Sequence, residues 1–138
     1  MAGRDYDLVV IGSGPAGHSA AIQATKVGKR VAMIEREGVV GGASVNTGTI
    51  PSKTLREAVM HLSGYNQRGI YGQDYRVKKK IVMDDLLHRT DHVISREIAV
   101  AHHQLMRNSV EVISATGSFV DPHTLRLNDI ATDSDRYI

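Results

Sequence analysis

Cysteine is absent from this sequence, and disulfide staples, thiolate metal sites and thiol nucleophiles are excluded with it. Long hydrophobic runs are missing as well. The longest near the amino terminus, Leu8 to Ile11, is far too short to span a bilayer, so no membrane association is expected. The opening Met1 to Asp7 has no apolar signal core, and its acidic residues argue against a transit peptide, which makes the cytoplasm the expected location. Charge of one sign is scarce: 17 Lys and Arg face 15 Asp and Glu, a net +2, which leaves no electrostatic footprint for nucleic acid. The basic stretch from Arg76 to Lys80 reads as a solvated turn. Neither an internal repeat nor a low-complexity tract is present.

What is there is an alternation of apolar strands and helices in a chain of 138 residues, the size of one domain. Leu8-Val9-Val10-Ile11 is a continuous apolar run bounded by Asp7 and Gly12, which predicts a strand buried on both faces in a parallel sheet. Ala16 to Val27 predicts a helix closed by Gly28. Val31 to Ile34 predicts a second buried strand ending at Glu35. Strand, glycine loop, helix and strand together make a βαβ unit. Gly38 to Gly48 reads as irregular. Pro51 suits the first turn of a helix whose apolar face carries Leu55, Ala58, Val59 and Leu62, with Gly64 at its end. A polar connection leads to a longer helix from near Asp84, with Leu86, Leu87, Val93, Ile94, Ile98, Ala101 and Leu105 on one stripe. Val110 to Ile113 and Thr124 to Leu127 predict strands of a hairpin, with Gly117 and the turn Asp121-Pro122-His123 between them. A further strand is expected to begin at Asp135-Arg136-Tyr137.

Gly12-Ser13-Gly14-Pro15-Ala16-Gly17 matches G-x-G-x-x-G. Gly12 permits the turn out of the strand, Gly14 lets backbone approach a pyrophosphate, and Gly17 lets helix and strand pack closely. The helix start offers free N–H groups to the phosphates. The motif follows a strand, opens a helix and precedes a strand ending in an acid, which is the context that gives it meaning. Glu35, 18 residues after Gly17, can accept hydrogen bonds from ribose hydroxyls and would repel a 2′-phosphate.

The segment Gly41-Gly42-Ala43-Ser44-Val45-Asn46-Thr47-Gly48-Thr49-Ile50-Pro51-Ser52-Lys53 chooses among dinucleotides. It resembles the redox-site motif G-G-x-C-x-N-x-G-C-x-P-S-K of the class I pyridine nucleotide-disulfide oxidoreductases. Ser44 and Thr49 stand at both cysteine positions, so dithiol exchange is chemically unavailable. The Gly48-Thr49-Ile50-Pro51-Ser52-Lys53 ending, Leu55 to Val59 and Gly117 to Thr124 resemble the soluble pyridine nucleotide transhydrogenases within that family. The resemblance runs from Tyr6 to Ile138. It implies an α/β fold, a partial Rossmann-like FAD-binding domain made of a βαβ unit, inserted helices and a β-hairpin. It also implies FAD as cofactor, hydride transfer between NADPH and NAD+, and a homodimer in the full-length form. A lipoamide dehydrogenase-like or NADH oxidase-like flavoprotein without the redox disulfide, and a stand-alone FAD-binding or interaction module, remain the alternatives.

Carried over residue by residue, the resemblance implies that Gly12, Ser13, Gly14, Pro15, Ala16 and Gly17 hold the FAD pyrophosphate. Glu35 binds the adenosine ribose, with Arg36 beside it among the cofactor-binding residues. Gly42, Ala43 and Ser44 line the path toward the flavin, Lys53 sits near the reactive edge of the isoalloxazine ring, and the Gly117 N–H faces the adenine end. Such a cation stabilises negative charge on a reduced flavin. No catalytic residue is assigned. The adjacent His102 and His103 point in different directions on a helix, and His88 with His92 lacks a third ligand, so no metal is expected. No second glycine fingerprint follows Gly17. The family's NAD(P) and dimerisation domains are therefore expected to lie outside residues 1–138, which read as the amino-terminal part of an FAD-binding domain. The 138-residue chain alone is expected to be inactive and to bind FAD weakly or not at all.

Overall fold

A computed structural model describes residues 6–138. The reading of Met1 to Asp5 as lacking a targeting segment lies outside the described residues. The elements follow in the order β1 (Leu8–Ile11), α1 (Pro15–Lys26), β2 (Val31–Glu35), α2 (Gly42–Asn46), α3 (Thr49–Leu62), a 3-10 turn (Tyr65–Gln67), α4 (Arg68–Tyr71), α5 (Met83–Arg107), β3 (Glu111–Asp121), β4 (Thr124–Asp129) and β5 (Asp135–Tyr137). The chain divides into two compact units, residues 1–42 with 98–138 and residues 43–97.

The first unit is built on one five-stranded sheet in the order β1-β2-β3-β4-β5. β1 and β2 run parallel with Leu8 opposite Val31 and Ile11 opposite Ile34. β2 and the start of β3 are also parallel, with Ala32 opposite Glu111 and Glu35 opposite Ser114. From Ala115 onward β3 pairs antiparallel with β4, and β4 with β5. The alternation of side chains along β2 sends Val31 and Met33 to one face and Ala32 and Ile34 to the other. Val31 and Met33 join Ala21 of α1, Val40, Leu105 of α5 and Val110 in one apolar cluster. Ala32 and Ile34 join Ile113, Ala115, Leu125 and Leu127 in a second. A strand covered on both faces has no polar side to show, which is why its sequence is apolar from Val31 to Ile34, up to the Glu35 that ends it.

The second unit, described by itself, holds most of α2, all of α3 and α4, and the first part of α5. Several expectations need correction here and in β3. Residues 42–46 form a short helix where irregular chain was expected. The buried stripe of α3 runs through Thr54 and Ala58, whereas Val59 is exposed. The register is set by a 100° step per residue, which carries Val59 beyond the stripe occupied by Thr54 and Ala58. Leu87 of α5 likewise faces solvent, while Thr90 is buried and turns its hydroxyl onto the Leu86 carbonyl at 2.9 Å. The polar connection after Gly64 contains the 3-10 turn and α4. Gly117 lies inside β3 opposite Leu127 rather than in the turn, because cross-strand pairing carries the strand through it to Asp121. The strand expected at Asp135 is β5. Among the described residues no helix is long and apolar enough to cross a membrane.

Candidate functional site

The glycine loop between β1 and α1 takes its shape from three close relations. Gly12 has φ +96°, a conformation that L side chains rarely adopt, and its N–H donates to the Ile34 carbonyl at 2.8 Å. A Cβ on Gly17 would stand 2.2 Å from the Gly12 oxygen and 3.0 Å from Val10 Cγ1, so helix and loop touch backbone to backbone there. Gly14 is the N-cap of α1, no side chain caps the helix, and Pro15 follows at its first position. The direction a Gly14 Cβ would take is open for 4 Å. The first turn of α1 therefore presents uncapped N–H groups beside unobstructed backbone, an arrangement suited to an anion.

A second glycine segment returns to this loop. Gly42 has φ +59°, and a Cβ there would lie 2.8 Å from Gly14 Cα. Only a residue without a side chain allows both the turn and the approach. Next to it the Gly41 N–H donates to Ser13 Oγ at 3.0 Å.

Glu35 ends β2 and is buried with Ser13. Its Oε2 accepts the Ser13 N–H at 3.0 Å and the Ser13 hydroxyl, and its Oε1 accepts the Glu37 N–H at 3.0 Å. Burial alone pushes the Glu35 carboxyl up. The donors from Glu37, Ser13 and Arg36 outweigh it and hold the group below the ordinary glutamate value, as an anion at neutral pH. The carboxylate opens on a cleft of about 300 Å³ lined by Ile11, Gly12, Arg36, Thr116 and Gly117 among others. Arg36 itself is exposed and pairs with Glu37 at 3.0 Å.

The structure thus brings Gly12, Ser13, Gly14, Pro15, Ala16, Gly17, Glu35, Arg36, Gly42 and Gly117 together in the first unit. Ala43, Ser44 and Lys53 belong to the second unit, Ala43 and Ser44 in α2 and Lys53 on an exposed position of α3. Within that unit the Gly48 N–H donates to the Ala43 carbonyl at 2.6 Å, which ties the end of α2 to the start of α3. Thr116 was not singled out in the sequence, and Gly41 was read as the first residue of the Gly41–Lys53 motif without a role at the site. Thr116 lines the cleft from β3, two residues beyond Ser114, the partner of Glu35 across the β2–β3 pairing, which no local pattern announces. For Gly41 the adjoining glycine was a usable signal.

Among the described residues no group of three His, Asp or Glu side chains could hold a metal ion. The chemistry offered is that of a dinucleotide cradle: open backbone and helix N–H groups for a pyrophosphate, and a fixed carboxylate for a ribose hydroxyl.

Comparison with known proteins shows the chain's relatives. The soluble pyridine nucleotide transhydrogenase of Mycobacterium tuberculosis is 59% identical over 93% of this chain, and that of Escherichia coli 42% identical over 90%. The chain spans about a quarter of the length of these relatives, 27% and 26% respectively. Among solved structures, the HOCl-induced flavoprotein disulfide reductase RclA of Escherichia coli, in its Cu(II) complex, superposes with a TM-score of 0.76 at 27% identity. That match covers 99% of this chain and 27% of the other. The family model described as FAD dependent oxidoreductase matches residues 7–127. Matched by that family model over residues 7–127, the chain belongs to the FAD-dependent oxidoreductase family, whose cofactor is FAD.

Proposed function

We propose that this chain is the amino-terminal, FAD-gripping part of a flavoprotein that moves hydride between NADPH and NAD+, as a soluble transhydrogenase does. The observation that carries the reading is the 59% identity to the mycobacterial transhydrogenase across 93% of the chain. Ser44 and Thr49 support it from the chemistry, since hydroxyls in place of a thiol pair leave hydride transfer possible and disulfide exchange impossible.

In this reading Gly12 to Gly17 bind the pyrophosphate through backbone N–H groups and the start of α1. Glu35 takes a ribose hydroxyl, with Arg36 and Gly117 at the adenine end. Gly42, Ala43 and Ser44 border the cofactor's course, and the Lys53 ammonium lies by the flavin to balance negative charge. FAD, when bound, supplies acceptance and return of hydride. Residues 1–138 contribute the grip. The nicotinamide site and a homodimer interface belong to the remaining length seen in the relatives, and the location is cytoplasmic.

The test joins this chain to the remaining three quarters of the mycobacterial relative and follows reduction of a thionicotinamide NAD+ analogue by NADPH. Transfer without oxygen consumption is expected. NADPH-dependent oxygen consumption without transfer would favour an oxidase-like flavoprotein, and an apoprotein that takes up no flavin would remove the reading.

A further inference from the structure

Away from the glycine loop, the second unit holds a cleft of about 410 Å³ lined from α3 and α5. Each helix contributes residues three and four apart, which share one face. From α3 come Ala58, which is buried, then His61 and the half-buried Leu62. From α5 come Asp85, His88, Arg89 and His92.

The nitrogen groups of this cleft are uncommitted. Among the described residues, the side chains of His61, His88, Arg89 and His92 have no hydrogen-bond or ion-pair partner. Asp85 does not supply one. Its Oδ1 takes the Lys78 ammonium, and its Oδ2 accepts the Val82 N–H at 3.0 Å. An imidazole carries at least one N–H donor in either charge state, and a guanidinium carries five donors and no acceptor. Such a set calls for an anion, and the planar guanidinium fork matches a pair of phosphate oxygens. A metal is not the alternative, because no group of three His, Asp or Glu among the described residues could hold one. Ala58 and Leu62 add an apolar wall, and the volume falls in the small-molecule range of about 300–1,000 Å³.

We infer that this cleft is a binding site for a small organic phosphate, a phosphomonoester. Its phosphate meets Arg89 and the three imidazoles, and its carbon part lies on Ala58 and Leu62. The site goes beyond the FAD reading and shares no residue with the glycine-loop cradle, so neither depends on the other.

The experiment titrates phenyl phosphate into the whole 138-residue chain carrying carbon-13 histidine, at constant pH and ionic strength, and follows the seven imidazoles by NMR. His61, His88 and His92 are expected to shift along one saturable curve while His102, His103 and His123 stay in place. Shifts confined to His18, which follows the glycine loop, mean that phosphate enters the cofactor cradle instead and overturn the inference. Unsaturating shifts at all seven histidines, or none at all, overturn it too. Inorganic phosphate is expected to move the same three signals with about fivefold weaker affinity, for want of a ring on the apolar wall. Equal affinity overturns the assignment of an organic ligand. Benzyl alcohol, which has the ring without the anion, is expected to move nothing, and comparable binding overturns the anion site. Arg89→Gln, at an exposed position, is expected to leave the urea midpoint in place and to weaken phenyl phosphate about tenfold. Unchanged affinity overturns the inference. The FAD-loaded protein joined to the remaining length of the mycobacterial relative is expected to give the same three shifts, since its cradle is filled. Loss of the response there means that the cleft is covered in the longer protein, and the inference falls.

Discussion

β1 and β2 are near copies in composition, yet their surroundings differ. Leu8-Val9-Val10-Ile11 and Val31-Ala32-Met33-Ile34 are both unbroken apolar runs, and each lies in a parallel pair. β2 is buried at every position. β1 stands at the end of the strand order, with Leu8 36% and Ile11 48% exposed. Only its two central residues are tucked in, Val10 toward one cluster and Val9 toward the other. A both-faces-apolar sequence therefore states what covers a strand's faces, and says nothing of whether its second edge has a partner. Among the described residues β1 has a neighbour on one edge only, which is a site for further strand pairing.

The sharpest break of the comparison is a core truncation in β2. Met33 is fully buried and sits in the cluster that joins α1, β2 and the end of α5. Met33→Ala is expected to cost about 3 kcal/mol of stability, from lost transfer energy and the cavity left behind. Urea unfolding followed by circular dichroism measures it. A cost below about 1 kcal/mol would mean that β2 is not the centre of the core.

Next in size is Gly17→Ala, which tests how β1 is held to α1. The new methyl meets the Gly12 carbonyl oxygen at 2.2 Å, which is backbone and cannot swing aside. Overpacking of this kind costs about 1–3 kcal/mol. The loop must also shift, so flavin uptake by the chain joined to the remaining length of the mycobacterial relative is expected to fall more than stability does. Flavin fluorescence quenching beside a melting curve separates the two. The complementary substitution, Gly14→Ala, meets nothing within 4 Å and leaves the melting curve nearly unchanged.

A third, smaller effect compares the acids at the two strands. Glu35 at the end of β2 is buried, and its donors hold its carboxyl below the ordinary value of 4.5. A depressed folded value means that the contribution to stability is present above the unfolded value and is lost as pH falls through the folded one. The stability difference between the wild type and Glu35→Gln is thus expected to be full at pH 7 and to shrink below pH 4.5. Asp7, before β1, is exposed. The Arg30 N–H, at 2.8 Å, is the main cause of its lowered value, with Lys29 adding to it. Asp7→Asn is expected to change the acid limb less. Chemical unfolding at pH 7 and pH 3 measures both variants.

How much of this was legible in the sequence follows the range of the interactions. The βαβ unit could be read because its signals are local: the apolar runs, the glycine spacing and Glu35 all fall between residues 8 and 35. β5 could be read from Asp135-Arg136-Tyr137 for the same reason. The edge position of β1, the passage of β3 through Gly117 and the place of Thr116 in the cleft that Glu35 lines depend on partners far along the chain. No pattern of period two contains them. Ser13 is the instructive case. Its position inside G-x-G-x-x-G marked it as near the cofactor, but its hydroxyl acts on Glu35 and Gly41, 22 and 28 residues away. Helix α3 failed at one position only, Val59, since Thr54 is buried in the stripe while Val59 lies off it.

The smallest expected effect lies at the rung where the two strands meet, Leu8 opposite Val31. Val31 is 1% exposed and Leu8 is 36% exposed, so the same change has different consequences on the two sides. Leu8→Thr removes apolar surface that is partly wet already. Threonine is also a good strand former, and its hydroxyl can reach water at this edge. The cost is expected to stay under about 1 kcal/mol. Solubility is expected to move more than stability, because a polar residue on a free strand edge discourages edge-to-edge pairing. Sedimentation velocity across a concentration series tests this. Less self-association in Leu8→Thr, with a nearly unchanged unfolding midpoint, is the expected outcome. A large loss of stability would mean that Leu8 is as much a core residue as its neighbour across the rung, and the contrast between the two strands would fail.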